Sequence, residues 1–352
     1  MTSKGNVIFK NENVLLPEFL PGLLPHREIQ IQQLANNLLP ASKSRKPQNT
    51  FLFGPPGIGK TACIKFVFRE FEDFSERVKT IYINCWDYKS AHSILSKIAS
   101  ELGMFAQRRG IGKDEILEKI MEFCKKIKKG LIVCLDEVDQ LIFKEQEALY
   151  DLLRINQYIE NPFGLVFISN NPYVFADVEP RIKSSLSIEE IEFKPYSLEE
   201  MKDILEERVD LAFGSVEKGV ALLSANHTVQ KGGDVRVGLE ILLKAGRLAE
   251  SENSRKLKVE HVKKILPSVK PAKPEIIKEK IREDERIILE VLEEKKELLS
   301  GELYKEYCKR IESPVSERMF RDFVNHLGEL NLIKVRRRKR GIKGRTRVIS
   351  KT

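Results

Sequence analysis

"TFLFGPPGIGKTACIKFVFREF", Thr50 to Phe71, decides how this chain is read. A short apolar run, Thr50–Phe53, breaks into "GPPGIGKT" and resumes as a helical pattern from Ala62. Gly54–Thr61 fits G-x-x-x-x-G-K-S/T. A strand before it and a helix after it is the context in which that spacing means a phosphate-binding loop. Its glycines let backbone N–H groups turn inward, and the following helix N-terminus adds partial positive charge. The expected phosphate cradle is Gly54, Pro55, Pro56, Gly57, Ile58, Gly59, Lys60, Thr61 and Ala62. Lys60 would reach the β- and γ-phosphates, and Thr61 would offer a hydroxyl to Mg²⁺.

"LIVCLDEVD", Leu131–Asp139, supplies the complement. Its continuous apolar run is that of a strand buried on both faces. Asp136 ends the strand, where a carboxylate joins the Mg²⁺ shell, and Glu137 is placed to polarise a water. No N-K-x-D guanine reader occurs, which favours ATP and ADP as the nucleotides. "FISNN" ends another buried run; Asn170 there is either a turn residue or an amide that orients the water. "GGDVR" places Arg236 at a helix start, able to reach a γ-phosphate from a second domain. "EPRIKSSL" places Arg181 before a last strand, able to reach a neighbouring subunit's nucleotide. A surface ion pair is the alternative for each arginine.

Working outward, strands are expected at Thr50–Phe53, Thr80–Asn84, Leu131–Asp136, Leu165–Asn170 and within "IEEIEF". Helices at about 62–71, 90–103 and 114–128 and in "EQEALYDLLRINQYI" alternate with them, which implies a parallel α/β sheet. After Pro195 the strands stop. "SLEEMKDILEERVDLAF" opens with Ser197 and Glu200 as a capping box, and further helices are expected near 216–226, 234–251 and 259–266. "PSVKPAKPE", Pro267–Glu275, reads as a linker. The expected organisation is therefore an α/β base, residues 1–196; an all-helical lid, 197–270; and a C-terminal domain, 271–352.

The C-terminal domain carries the charge. The chain has 61 Lys and Arg against 52 Asp and Glu. Nine of the basic residues fall in "KVRRRKRGIKGRTRV", Lys334–Val348, and without them the counts are equal. A focused excess of this kind points to a polyanionic partner. Upstream, "DERIILEVLEE" aligns Ile287, Ile288, Val291 and Leu292, and "GELYKEYCKRI" aligns Leu303, Tyr304, Tyr307 and Ile311. "SERMFRDFVNHLGELNLI" turns Met319, Phe320, Phe323, Leu327 and Leu330 inward, leaving Arg318, Arg321, Asn325 and His326 outside. "LIKVRR" and "RTRVIS", joined through Gly341 and Gly344, form a hairpin. Three helices and a hairpin make a winged helix, whose third helix enters a major groove. Arg336, Arg337, Arg338, Lys339, Arg340, Lys343, Arg345 and Arg347 on the wing would meet phosphates or a minor groove of duplex DNA. Protein contact is the alternative use of such a domain.

Five scattered cysteines with no C-x-x-C argue against a disulfide framework and a zinc site. No secretory or membrane-spanning run is present, and no membrane partner is expected. We read a cytoplasmic, nucleoid-associated protein.

Together these residues resemble the archaeal replication initiators related to the eukaryotic origin recognition complex and its loading partner. Those are AAA+ ATPases with a C-terminal winged helix. The resemblance rests on "PHRE", "GPPGIGKT", "LDEVDQL", "ISNN", "EPRIKSSL", "KPYSLEEMKDILEERV", "GGDVR" with "AGRLAE", and "GRTR", in that order along nearly the whole chain. It implies that Asn170 is the sensor-one residue, Arg236 the sensor-two arginine, and Pro25, His26 and Arg27 part of the adenine pocket. It implies an initiator-specific insertion between Asn84 and Lys113, with Arg108 and Arg109 as DNA contacts. In related clamp loaders the trans-acting arginine sits in an S-R-C box; here that place reads Ser184-Ser185-Leu186, and Arg181 is the nearest equivalent. The implied function is an ATP-switched, slowly hydrolysing binder of double-stranded origin DNA that recruits or loads the replicative helicase ring. A paralogous initiator on the same DNA is a further implied partner. The rival readings are a clamp-loader-like motor, a transcriptional or signalling switch ATPase, and a transposition helper.

Overall fold

The computed structural model describes residues 8–104, 112–127, 129–158, 160, 162–176, 178–269, 283–295, 297–311, 314–329, 332–337 and 347–351. Arg108, Arg109, Leu330, Arg338, Lys339, Arg340, Lys343, Arg345 and most of the expected linker lie outside them. The chain forms two compact units, divided after Val269.

Five parallel strands, β1 (Asn49–Phe53), β2 (Val78–Asn84), β3 (Gly130–Asp136), β4 (Phe163–Ser169) and β5 (Ile188–Glu192), lie in the order β2-β3-β4-β1-β5. α1 (Glu28–Leu38) and α2 (Lys60–Phe74) cover one face. α3 (Ala91–Glu101), α4 (Lys113–Ile127), α6 (Glu147–Tyr158) and α7 (Pro180–Leu186) cover the other, with α5 (Asp139–Ile142) a single turn after β3. Alternation along the strands explains the two layers. Ile132, Cys134, Val166 and Ile168 face α1 and α2; Leu131, Val133, Leu135, Leu165 and Phe167 face the other helices. Every residue of β3 and β4 is buried, so their sequences read as unbroken apolar runs. Each buried Leu, Ile, Val or Phe side chain among them contributes about 1.5–3 kcal/mol. The edge strand β5 instead exposes Glu189, Glu190 and Glu192, charges that discourage edge pairing.

The lid comprises α8 (Leu198–Ala212), α9 (Val220–Gln230), α10 (Val235–Ser251) and α11 (Val259–Ile265). The capping box is present: Ser197 Oγ accepts from Glu200 N–H at 3.2 Å, and Glu200 Oε2 accepts from Ser197 N–H at 2.7 Å. α9 starts at Val220, later than its pattern suggests. Gly219 sets the start with φ +96°, and Val216 is held in a bridge to Leu257. The first described residues belong to this layer: Lys10 N–H donates to Ala212 O at 2.7 Å, and the Phe9 and Phe213 rings lie 4.9 Å apart. One hydrophobic core runs from Ile8 through the lid into α1, α2 and the sheet, so base and lid form a single unit.

The second unit contains α12 (Glu283–Lys295), β6 (Glu297–Leu299), α13 (Ser300–Cys308), α14 (Glu317–Glu329), β7 (Ile333–Arg337) and β8 (Arg347–Lys351), with antiparallel order β6-β8-β7. β6 is too short to show a pattern in sequence. The core of this unit is Ile288, Leu289, Val291, Leu292, Leu303, Tyr307, Phe320, Phe323, Val324, Leu327, Ile333 and Ile349. Met319, expected inward, is exposed, and Val324 takes the core position. The buried stripe on α14 centres on Phe320, Val324 and Leu327, and Met319 falls about a quarter-turn outside it.

Candidate nucleotide site and DNA-contact surface

The strand order assembles the nucleotide site. β4 lies between β1, which ends in the phosphate loop, and β3, which ends in Asp136. Asn170, just past β4, is therefore between the two motifs. Lys60 Nζ donates to Gly54 O and Pro55 O, both at 2.7 Å, and to Asn170 Oδ1 at 2.9 Å. Asn170 Nδ2 faces Glu137 Oε1 at 3.3 Å. One amide thus touches both the loop lysine and the acid beside Asp136.

Thr61 Oγ1, at the start of α2, donates to Asp136 Oδ2 at 2.7 Å. Tyr82 OH donates to the same oxygen at 2.7 Å, and Glu137 N–H donates to Oδ1 at 2.9 Å. Burial pushes the Asp136 carboxyl up, against the bonds from Thr61 and Tyr82 that pull it down. A desolvated carboxylate with only neutral donors beside a hydroxyl fits a divalent cation, which would supply the missing positive charge. Among the described residues no group of three or more His, Cys, Asp or Glu is clustered to hold a metal. Glu137 holds φ +54°, a left-handed backbone uncommon for a residue with a side chain, and Val138 N–H ties the turn to Ile168 O at 3.0 Å.

Two segments press on the loop from outside. Phe193 O lies where a Cβ on Gly54 would come within 2.2 Å, and Asp234 Oδ1 where one on Gly57 would come within 1.8 Å. Both glycines also hold positive φ, +143° and +70°, so glycine is required twice over. Arg27 is 4% exposed. It donates to Ile58 O (3.1 Å), His26 O (3.2 Å) and Lys194 O (2.9 Å), and its guanidinium stacks 3.7 Å from the Tyr196 ring centre. It joins "PHRE", the loop and the base-to-lid connector. Its guanidinium is therefore committed to carbonyl oxygens and an aromatic ring. His26, at φ +64°, places Nε2 3.1 Å from Asp203 on α8, and Pro25 beside it is half-buried.

Val235 N–H, at the start of α10, donates to Gly57 O at 3.1 Å, which sets the lid directly on the loop. Arg236 is exposed one residue further on, and hydrogen bonding to Asp234, aided by the charges of Asp234 and Glu137, holds its pKa above the ordinary value. Arg181 is exposed on α7, its Nε 2.7 Å from Glu179 and its guanidinium 5.3 Å from the Tyr150 ring centre. Of the cradle, Ile58 is buried, while Pro55 and Pro56 are exposed. Motif reading singles out neither Tyr82 nor Asp234. Tyr82 shares a sheet face with Asp136 only because it pairs with Cys134, and that register is not written in the sequence.

In the second unit, Arg318, Arg321 and Asn325 are exposed along α14, and Arg336 is exposed on β7. Arg347 Nη1 donates to Asn325 Oδ1 at 2.7 Å, tying the wing strand to the helix. Arg321 pairs with Glu317 at 2.9 Å. The register sets Arg337 directly opposite Arg347.

All five cysteines are free, and no described helix is long and apolar enough to cross a membrane.

Three family models match: an AAA domain over residues 43–172, a Cdc6 AAA+ ATPase-type lid domain over 202–265, and a CDC6 C-terminal winged helix domain over 287–351. The ORC1-type DNA replication protein 1 of Archaeoglobus fulgidus is 36% identical over 97% of this chain and 87% of its own length. That of Sulfurisphaera tokodaii is 34% identical over 97% and 90%. Among solved structures, the Aeropyrum pernix ORC1 protein in complex with DNA matches with TM-score 0.69 and 31% identity, covering 100% of this chain and 94% of that one. The Aeropyrum pernix ORC2 protein, in ADPNP–ADP complexes, shares the fold with TM-score 0.77 at 22% identity.

Proposed function

Since the chain belongs to the family of ORC1-type DNA replication proteins, we propose that it initiates replication as a nucleotide-switched binder of origin DNA. ATP sits on the phosphate loop beneath the lid. Lys60 leaves the carbonyls of Gly54 and Pro55 for the terminal phosphates; Thr61 and Asp136 would hold Mg²⁺, which would supply charge neutralisation to the phosphates. Glu137 draws the proton from an attacking water that Asn170 orients, and Arg236 reads the γ-phosphate from the lid. Hydrolysis is slow and acts as a reset. The carrying observation is the Lys60–Asn170–Glu137 relay at the foot of a lid that rests on Gly57.

The winged helix supplies DNA affinity through Arg336, Arg337, Arg338, Lys339, Arg340, Lys343, Arg345 and Arg347, and selectivity through Arg318, Arg321 and Asn325 on α14. The insertion between Asn84 and Lys113 adds a second grip on the duplex. On origin DNA the protein, alone or beside a paralogue, recruits or loads the replicative helicase. Arg181, exposed on α7, is available to a neighbouring chain's nucleotide. The Cdc6-type matches of both lid and winged helix favour this over a clamp-loader motor.

Footprinting on origin DNA with ATP, with ADP and without nucleotide tests the proposal. Lys60→Ala, which should no longer bind nucleotide, gives the baseline. Different footprints or affinities are expected for ATP and ADP in the native chain alone. Identical binding in all three conditions would overturn the switch.

A further inference from the structure

Asp234 is a carboxylate placed where a nucleotide's phosphates would repel it. It is 7% exposed, and the space a Cβ on Gly57 would need is filled by its Oδ1, 1.8 Å away. It caps α10 by accepting Arg236 N–H at 2.9 Å. A cap alone does not require a charge, because Asn and Ser serve equally well. The same carboxylate accepts from Arg236 Nε at 2.9 and 3.1 Å and from Nη2 at 2.7 Å. Gripped along this edge, the planar guanidinium cannot swing, and its Nη1 end is turned away from the carboxylate. The Arg236 side chain is still 52% exposed, so the pairing with Asp234 does not shut it away from a ligand.

We propose that Asp234 is the positioning residue that aims Arg236 at the terminal phosphate and thereby sets the preference for ATP over ADP. This rests on the reading of Arg236 as the γ-phosphate arginine. The carboxylate has two effects of opposite sign. Its charge beside Gly57 weakens the binding of both ATP and ADP. Its hold on Arg236 favours only a nucleotide with a third phosphate.

The test is the Kd of Mg²⁺ complexes of ADP and of a non-hydrolysable ATP analogue for native protein, Asp234→Asn, Arg236→Ala and the double variant. In Asp234→Asn the cap survives, ADP binds as well or better, and the preference for the triphosphate falls about tenfold, the scale of one charge-assisted hydrogen bond. The double variant shows the same preference as Arg236→Ala, because Asp234 acts through Arg236. An unchanged or increased preference in Asp234→Asn overturns the proposal. So does equal weakening of both nucleotides, which would mark a purely structural cap. If Asp234→Asn fails to fold, Asp234→Ser keeps the cap oxygen and answers the same question. A preference that survives Arg236→Ala overturns the γ-phosphate reading itself, and this proposal with it.

Discussion

Glu137 adopts a left-handed backbone immediately after a fully buried strand. Strain of that kind costs of the order of 1–3 kcal/mol and persists where function fixes the geometry. Glu137→Gln should keep nucleotide affinity while slowing turnover at least a hundredfold, about the contribution of a general base. Single-turnover hydrolysis beside equilibrium binding separates the two. Tyr82 is the less visible member of the site. Tyr82→Phe removes one of three hydrogen bonds to Asp136 and should raise the Mg²⁺ concentration needed for tight nucleotide binding by about tenfold or more. Unchanged Mg²⁺ dependence would reduce Tyr82 to packing. Lys60, Thr61, Asp136, Glu137 and Asn170 can be gathered from sequence because a loop motif and two strand ends mark them. Tyr82 cannot, because nothing local announces which strand lies beside β3.

Element starts and stops follow the same logic. α8 is legible to the residue because Ser197 and Glu200 carry their own capping chemistry. The apolar pattern starts α9 too early because Gly219, not hydrophobicity, decides where it begins. β6 has three residues and no pattern to read, while Met319 shows that one apolar residue at a stripe's edge is weak evidence of burial. The backbone N–H of Ser197 holds the Glu200 carboxyl below its usual value. A depressed carboxylate contributes stability above its unfolded pKa, about 4.3, and loses it as pH falls through the lower folded value. Melting curves of native protein and Glu200→Gln should therefore differ at neutral pH and converge in acid. On the hairpin, Arg336→Ala with Arg347→Ala should flatten the slope of log K against log salt by about 0.9 for each phosphate no longer neutralised. A slope that does not move would indicate a protein partner for this surface.

At the scale of the molecule, the sequence suggests a base and a lid as successive domains, and the structure shows why they act as one body. Arg27 fastens "PHRE", the phosphate loop and the connector at residues 193–196. Arg27→Met should lower the unfolding free energy by about 3 kcal/mol, since buried carbonyls lose a charged donor. It should also leave the C-terminal unit's own melting unchanged, as differential scanning calorimetry can resolve.

The interlock of Gly57 with Asp234 also limits how parts of this protein can be exchanged. The lid of this chain, grafted onto a relative, will seat only on a phosphate loop whose fourth residue is glycine, and a loop carrying a side chain there will accept this lid only if it is trimmed at Asp234. Recombination between homologues should therefore succeed when both segments travel together and fail when the crossover falls between them.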